Sequence, residues 1–282
     1  GHGVLTASDN RIRELPIDGD TVRLVQITDT HLKGYPGGTL LGMDTDDSVQ
    51  AVIDLVKTEY PDPDLILGTG DLADSGAAGA YERLMDYFGS ISPDHYWLPG
   101  NHDLRDVMVE VGGAHRLPEV LRVGSWQIVM LNSQIPGEVG GHLGEEELGK
   151  LDEHLAAGEA AGLFSLVCLH HQPVPVGCGW LDEQMVQDAD DFFAVVDRYS
   201  KVRGVLWGHV HQVLDAMRND LRLLCTPSTC VQFLPQQVDF AVDSRAPGYR
   251  WMELGSDGVI RTGVSRVESR EFNVDRDAGG YL

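Results

Sequence analysis

Short apolar runs alternate along the chain with stretches whose apolar residues recur every three or four positions. VRLVQIT (22–28) reads as a buried strand. The following 46–60 predicts a helix, because Val49, Val52, Ile53 and Val56 fall on one face. Strands are then predicted at 64–70, 95–99, 126–133, 163–171 and 202–209, and helices at 77–90, 145–157 and 189–200. Residues 214–233 and 249–267 read as short strands with turns, and GSDG at 255–258 is a hairpin signal. Strand–helix alternation predicts an α/β fold whose sheet has many parallel neighbours, and the β-rich segments predict a second sheet. Residues 1–20 and 270–282 read as tails around one domain over 21–269. The Pro- and Gly-rich 171–188 has no clear period and reads as a loop over the active site.

The polar residues give these strands a second meaning. The first strand runs into Asp29 and His31, the second into Gly70-Asp71 with Asp74 beyond, and the third into Gly100-Asn101-His102-Asp103. Two later strands end in His170-His171 and in Gly208-His209-Val210-His211. Ligands of open α/β sheets bind beyond the carboxyl ends of the strands. Any one of these clusters has an ordinary structural explanation, a turn cap or a satisfied core histidine. All of them at strand ends predict a single site assembled from several parallel strands.

Composition narrows the chemistry. Hydrophobic residues make up 42% and charged residues 23%, the balance of a soluble globular protein. The net charge of −23, from 21 basic and 44 acidic residues, opposes nucleic acid and anionic membranes. A metal centre can reverse that sign locally and admit a small anion. Cys168, Cys178, Cys225 and Cys230 form no CxxC pair and read as free thiols of a reducing compartment. With no apolar run near the ~20 residues of a membrane helix and a polar N-terminus, a cytoplasmic location is expected.

The ordered set D-x-H, G-D-x-x-D, G-N-H-D, His170 and G-H-x-H resembles the calcineurin-like metallophosphoesterase superfamily over about residues 20–235. HHQPVPVGCGWLD (170–182) and CTPSTCVQFLP (225–235) are similar to the bacterial class III cyclic nucleotide phosphodiesterases. The resemblance implies a four-layer αββα sandwich of two mixed sheets flanked by helices, with a dinuclear metal centre at the sheet edge. It implies Asp29, His31, Asp71 and His211 around a first metal and Asp71, Asn101, His170 and His209 around a second. His170 and His171 both remain candidates for that ligand position, with His170 preferred because it follows the strand directly. Oxygen and imidazole ligands without thiolate suit divalent or trivalent Fe and Mn, with Zn compatible.

The implied activity is hydrolysis of 3′,5′-cyclic AMP to 5′-AMP by a metal-bound hydroxide attacking phosphorus. His102 is the candidate to hold the phosphate or protonate the leaving oxygen. Asp103 either orients that imidazole or caps the helix beginning near Leu104. Asn101, His102, His171, Trp180 and His211 are the candidate substrate contacts, Trp180 either facing the base or packing its loop. A broad phosphodiesterase acting on 2′,3′-cyclic nucleotides, glycerophosphodiesters or nucleotide-linked lipids is the alternative. An inactive scaffold of the same fold is less favoured, because every ligand position is filled. The expected partner is the small-molecule substrate alone, with no nucleic acid or membrane, in a monomer or homodimer.

Overall fold

A computed structural model describes residues 11–281, so expectations for the first ten residues lie outside the described residues. The strands of the two main sheets are β1 (Ile12–Leu15), β2 (Val22–Ile27), β3 (Leu65–Gly68), β4 (His95–Trp97), β5 (Val120–Val123) and β6 (Trp126–Met130). They continue as β7 (Phe164–Cys168), β8 (Val202–Trp207), β9 (Leu214–Arg218), β10 (Leu221–Cys225), β11 (Gly248–Leu254) and β12 (Ile260–Arg266). The helices are α1 (Thr45–Glu59), α2 (Ala78–Gly89), α3 (Arg105–Gly112), α4 (Gly144–Ala160), α5 (Gly179–Asp182) and α6 (Ala189–Val196).

One sheet has seven strands in the order β1-β5-β6-β7-β8-β10-β9, the other five in the order β12-β11-β2-β3-β4. In the second sheet β2, β3 and β4 are parallel, and β11 and β12 are antiparallel additions. In the first, β6, β7, β8 and β10 are parallel, and β9 closes the edge antiparallel. Successive side chains of a strand point to opposite faces, and this sorts the core into three layers of contact. Leu65 and Leu67 of β3 meet Ile128, Leu166 and Leu206 of the opposing sheet, while Ile66 between them faces Val52, Tyr81 and Leu84 on the helices. Leu166 and Cys168 of β7 likewise point between the sheets, whereas Val167 turns outward to Leu151 and Leu155 of α4 and Phe192 of α6. The result is the expected helix–sheet–sheet–helix sandwich of two mixed sheets.

Two segments read as tails carry ordered structure. Ile12–Leu15 is an edge strand parallel to β5, with Ile12 opposite Val120. Its I-R-E-L pattern is half exposed and too polar in the middle to announce a strand. Toward the other end, Phe272, Val274 and Tyr281 pack against the core, and Asp275 donates its N–H to Leu41 O at 2.6 Å. No helix among the described residues is long and apolar enough to cross a membrane. All four cysteines are free and buried.

His95 gives the fold a measurable pH dependence. Its Nδ1 accepts the Trp97 indole N–H at 3.0 Å, and the ring lies edge-on to Phe88. Burial, assisted by Arg116 and His115, pushes its pKa down to about 3. The unfolded chain therefore binds the proton first, below the ordinary value of about 6.5, and stability falls as pH drops from there toward 3. Between pH 6.5 and 5 the loss is about 2 kcal/mol. His95→Gln keeps an acceptor for Trp97 but does not titrate. Urea denaturation at pH 7 and pH 5 should show the variant gaining about 2 kcal/mol on the wild type across that interval. Parallel pH curves would remove His95 as the cause.

Candidate metal centre

The expected residues sit just past the strand ends, in backbone that such side chains rarely adopt. Asp29, His31, Asp71, His209 and His211 have φ of 56°, 44°, 49°, 68° and 49°, five of the nine non-glycine residues with positive φ among the described residues. Such conformations cost about 1–3 kcal/mol each and persist where the surroundings over-determine them. Here the ladder continues beyond the strands: Asp29 N–H donates to Gly70 O at 3.0 Å, His31 N–H to Asp71 O at 2.9 Å and Leu32 N–H to Leu72 O at 3.1 Å. The motif glycines allow the close approach. A Cβ at Gly100 would collide with the backbone N and carboxylate of Asp71, and one at Gly208 with Thr28 and the carboxylate of Asp29.

Hydrogen bonding fixes the tautomer of each imidazole. Carbonyl and carboxylate oxygens only accept, so the nitrogen facing one must carry the proton. His170 Nδ1–H donates to Thr69 O at 2.7 Å, His211 Nδ1–H to Val231 O at 2.8 Å and His31 Nδ1–H to Asp74 Oδ1 at 3.1 Å. His209 Nε2–H donates to Gln184 Oε1 at 2.9 Å, and His102 Nδ1–H to Asp74 O at 2.8 Å. In the neutral ring the other nitrogen of each is then a lone pair turned into the site, able to take a proton or a metal ion. His31 Nε2 and His211 Nε2 then face one another at 3.3 Å, as do His209 Nδ1 and His170 Nε2 at 3.3 Å. In the neutral rings two lone pairs at that distance repel unless a proton or a metal ion lies between or beside them. Outer oxygen partners that fix the ring and raise its basicity are the usual support of metal-binding histidines.

The oxygens complete the picture. Asp29 Oδ1, Asp71 Oδ2 and Asn101 Oδ1 are buried without a hydrogen-bond partner. Asp29 Oδ2 is occupied by Thr28 Oγ1–H and His209 N–H, at 2.7 and 3.0 Å, and Asp71 Oδ1 by His102 N–H at 2.8 Å. Each carboxylate is thus held by one oxygen while the other faces the imidazoles. Asp29 Oδ1 lies 3.2 Å from His211 Nε2, and Asp71 Oδ2 lies 3.1 Å from His170 Nε2 and 3.8 Å from His31 Nε2. The residues group as Asp29, His31 and His211 on one side and Asp71, His170 and His209 on the other. Asp71 also groups with His31 and His102, which puts it between the two sets. Burial opposes its charge, yet His170 and His102 hold the Asp71 carboxyl well below the usual range. Burial likewise disfavours charge on His170, but Asp71 and Asp29 raise it to about 9. So strong a mutual dependence of buried carboxylates and imidazoles is what a cation between them would relieve.

The family model described as Calcineurin-like phosphoesterase matches residues 22–213. The chain belongs to the calcineurin-like phosphoesterase family. Among curated relatives it is 42% identical over 274 residues to the 3′,5′-cyclic adenosine monophosphate phosphodiesterase CpdA of Pseudomonas aeruginosa, covering 96% of this chain and 100% of that protein. It is 40% identical over 271 residues to the enzyme of the same name from Escherichia coli K12, covering 95% of this chain and 98% of that protein. Among solved structures, a dimetal phosphatase from Danio rerio superposes with a TM-score of 0.61 at 14% identity, over 88% of this chain and 100% of that one. That likeness concerns the fold alone.

Within this calcineurin-like site two sequence expectations are corrected, the role of Asp103 and His171 as a ligand. Asp103 neither orients His102 nor caps the helix. Its carboxylate accepts N–H groups of Gly100, Ala73 and Leu72 at 2.8, 3.0 and 3.3 Å and the Tyr81 hydroxyl at 2.7 Å, while α3 starts at Arg105 with Leu104 in the cap position and no side-chain cap. It buttresses the two loops that carry Asp71 and Asn101. His171 packs against His170 and His209, ring centroids 5.0 and 4.7 Å apart, but offers no nitrogen to either cation set: Nε2–H donates to Val139 O at 2.8 Å and Nδ1 accepts from Ser133 Oγ at 2.8 Å, so both nitrogens are used. Trp180 packs edge-on against Phe233 and Phe240, at 4.9 and 5.0 Å. The ring stacked on His211 is Phe233, at 4.2 Å.

Sequence reasoning gave Asp74 only a supporting or structural place and missed two other participants, Gln184 and Tyr281. Asp74 fixes both His31 and His102, the first through its carboxylate and the second through its carbonyl; only the carboxylate is visible in a sequence. Gln184 holds His209 from inside the irregular loop, where no period marks it. Tyr281 arrives from the segment read as a tail.

Proposed function

We propose that this protein is a dinuclear-metal phosphodiesterase that hydrolyses 3′,5′-cyclic AMP to 5′-AMP. The observation that carries the reading is the two pairs of inward lone pairs, His31 with His211 and His170 with His209, each at 3.3 Å, with Asp71 between them. Asp29, His31, Asp71 and His211 would hold one cation, and Asp71, Asn101, His170 and His209 the other. The partnerless oxygens of Asp29, Asp71 and Asn101 fit that assignment. Two cations so held would neutralise phosphoryl charge and make water nucleophilic at neutral pH. A nitrogen and oxygen donor set without sulfur favours Fe and Mn, with Zn compatible. Buried free thiols accord with a reducing, cytoplasmic setting.

The chain's own residues do the rest. His102 keeps its proton on Nδ1 through Asp74 O, and its Nε2 is buried and without a partner. Burial lowers its pKa, but Asp71, Asp74 and Asp103 raise it beyond that, to a net upward shift. An imidazole readily protonated on Nε2 can hold a phosphoryl oxygen and deliver a proton to the departing 3′-oxygen. The preference for a 3′,5′-cyclic adenine nucleotide rests on the relatives' activity, since these groups address only the phosphate. The test is a panel of 3′,5′-cAMP, 3′,5′-cGMP, 2′,3′-cAMP and bis(p-nitrophenyl) phosphate on Mn-reconstituted protein. We expect kcat/KM for 3′,5′-cAMP to exceed that for 2′,3′-cAMP. The reverse order would defeat the cyclic AMP reading and favour the broad phosphodiesterase; no hydrolysis of any of them would defeat both.

A further inference from the structure

The segment after β12 returns to the metal centre. Arg270 bonds Asp47 at 2.6 and 3.1 Å, Asn273 Nδ2–H donates to Gly42 O at 3.1 Å, and Asp275 N–H donates to Leu41 O at 2.6 Å. These contacts pin residues 270–275 to α1 and the hairpin that precedes it. Beyond them, hydrogen bonding among the described residues is confined to Asp277 N–H onto Asp275 Oδ1 at 3.0 Å. Gly279 and Gly280 are exposed, and a Cβ at either would meet open space, so no packing holds the chain there. Tyr281 then enters the cleft. Its ring stacks on His102 at 5.7 Å and 21°, and lies 6.1 Å from His31 and 6.5 Å from His211. Phe233 and Phe240 flank it at 5.4 and 5.8 Å.

We propose that residues 276–281 form a self-blocking strap: Tyr281 occupies the approach to His102 and the ligand imidazoles, and must swing out before a phosphodiester can reach them. The aromatic contacts are the latch, and the unpacked Gly279-Gly280 pair is the hinge. A ring in that place covers the buried, partnerless Nε2 of His102 that the proposed chemistry requires. The strap rests on the reading of this cleft as the phosphodiester site. A binding-competent state populated only in part weakens apparent affinity by that fraction.

Two measurements on the metal-loaded full chain test this. The first is carbethoxylation by diethyl pyrocarbonate, read at His102 by peptide mass spectrometry against the exposed His115 and His142 as internal references. Tyr281→Ala should label His102 on the order of tenfold faster, with Tyr281→Phe close to wild type; equal rates in all three would overturn the strap. The second is KM for bis(p-nitrophenyl) phosphate, which should fall on the order of tenfold in Tyr281→Ala with kcat not lowered. A raised KM would overturn it, because Tyr281 would then be a substrate-binding ring. If labelling accelerates while no variant hydrolyses a phosphodiester, the strap stands as the cover of the cleft and the phosphodiesterase reading fails.

Discussion

Asp71→Ala is expected to empty both cation positions at once. Its Oδ2 has no hydrogen-bond partner and lies 3.1 Å from His170 and 3.8 Å from His31, one imidazole of each set. Its Oδ1 meanwhile holds the backbone N–H of His102 at 2.8 Å. The substitution therefore removes the shared ligand and loosens the loop that presents Asn101 and His102. Metal catalysis of this kind supplies several kcal/mol, so activity should fall by about 10³-fold or more. Elemental analysis after dialysis checks the cause. Asp71→Ala should retain well under one metal per chain, whereas Asp29→Ala, which serves only the His31 and His211 side, should retain about one. Equal retention by the two variants would mean that Asp71 does not bridge.

His102→Ala should separate chemistry from metal binding. The ring is fixed by Asp74 O at 2.8 Å and turns Nε2 into the site, yet the ligand assignment does not use it. Metal content should stay near that of the wild type, while kcat for 3′,5′-cAMP falls by on the order of 10²–10⁴-fold. The loss should shrink for bis(p-nitrophenyl) phosphate, whose p-nitrophenolate leaves without needing a proton. Equal losses on both substrates would identify His102 as a phosphate holder. Loss of a metal would refute both roles and make His102 a ligand, as its grouping with His31 and Asp71 geometrically permits.

The parts of this architecture that were legible in the sequence have a common physical basis. Strand and helix periods are set by the backbone, so VRLVQIT and the Val49–Val56 face announced β2 and α1 directly. Parallel strands bring their carboxyl ends to one edge, which is why polar residues following several apolar runs gather into one site. What escaped depends on contacts between distant segments. The I-R-E-L of β1 becomes a strand only because Val120–Val123 offers it a parallel partner. Asp103 stands beside His102 in the chain but turns to the backbone of residues 72, 73 and 100, a choice dictated by three N–H groups that burial would otherwise leave unsatisfied. His170 and His171 are adjacent and alike. Alternation along the strand extension sends one ring to Asp71 and the other to Ser133 and Val139.

The most direct test of the central claim is stepwise addition of Mn²⁺ to metal-stripped protein, with bound metal and 3′,5′-cAMP hydrolysis followed on the same samples. Sharing of Asp71 between two cation positions predicts that binding saturates at two equivalents per chain and that hydrolysis rises chiefly with the second. Saturation at one equivalent, or full activity with one metal bound, would contradict it.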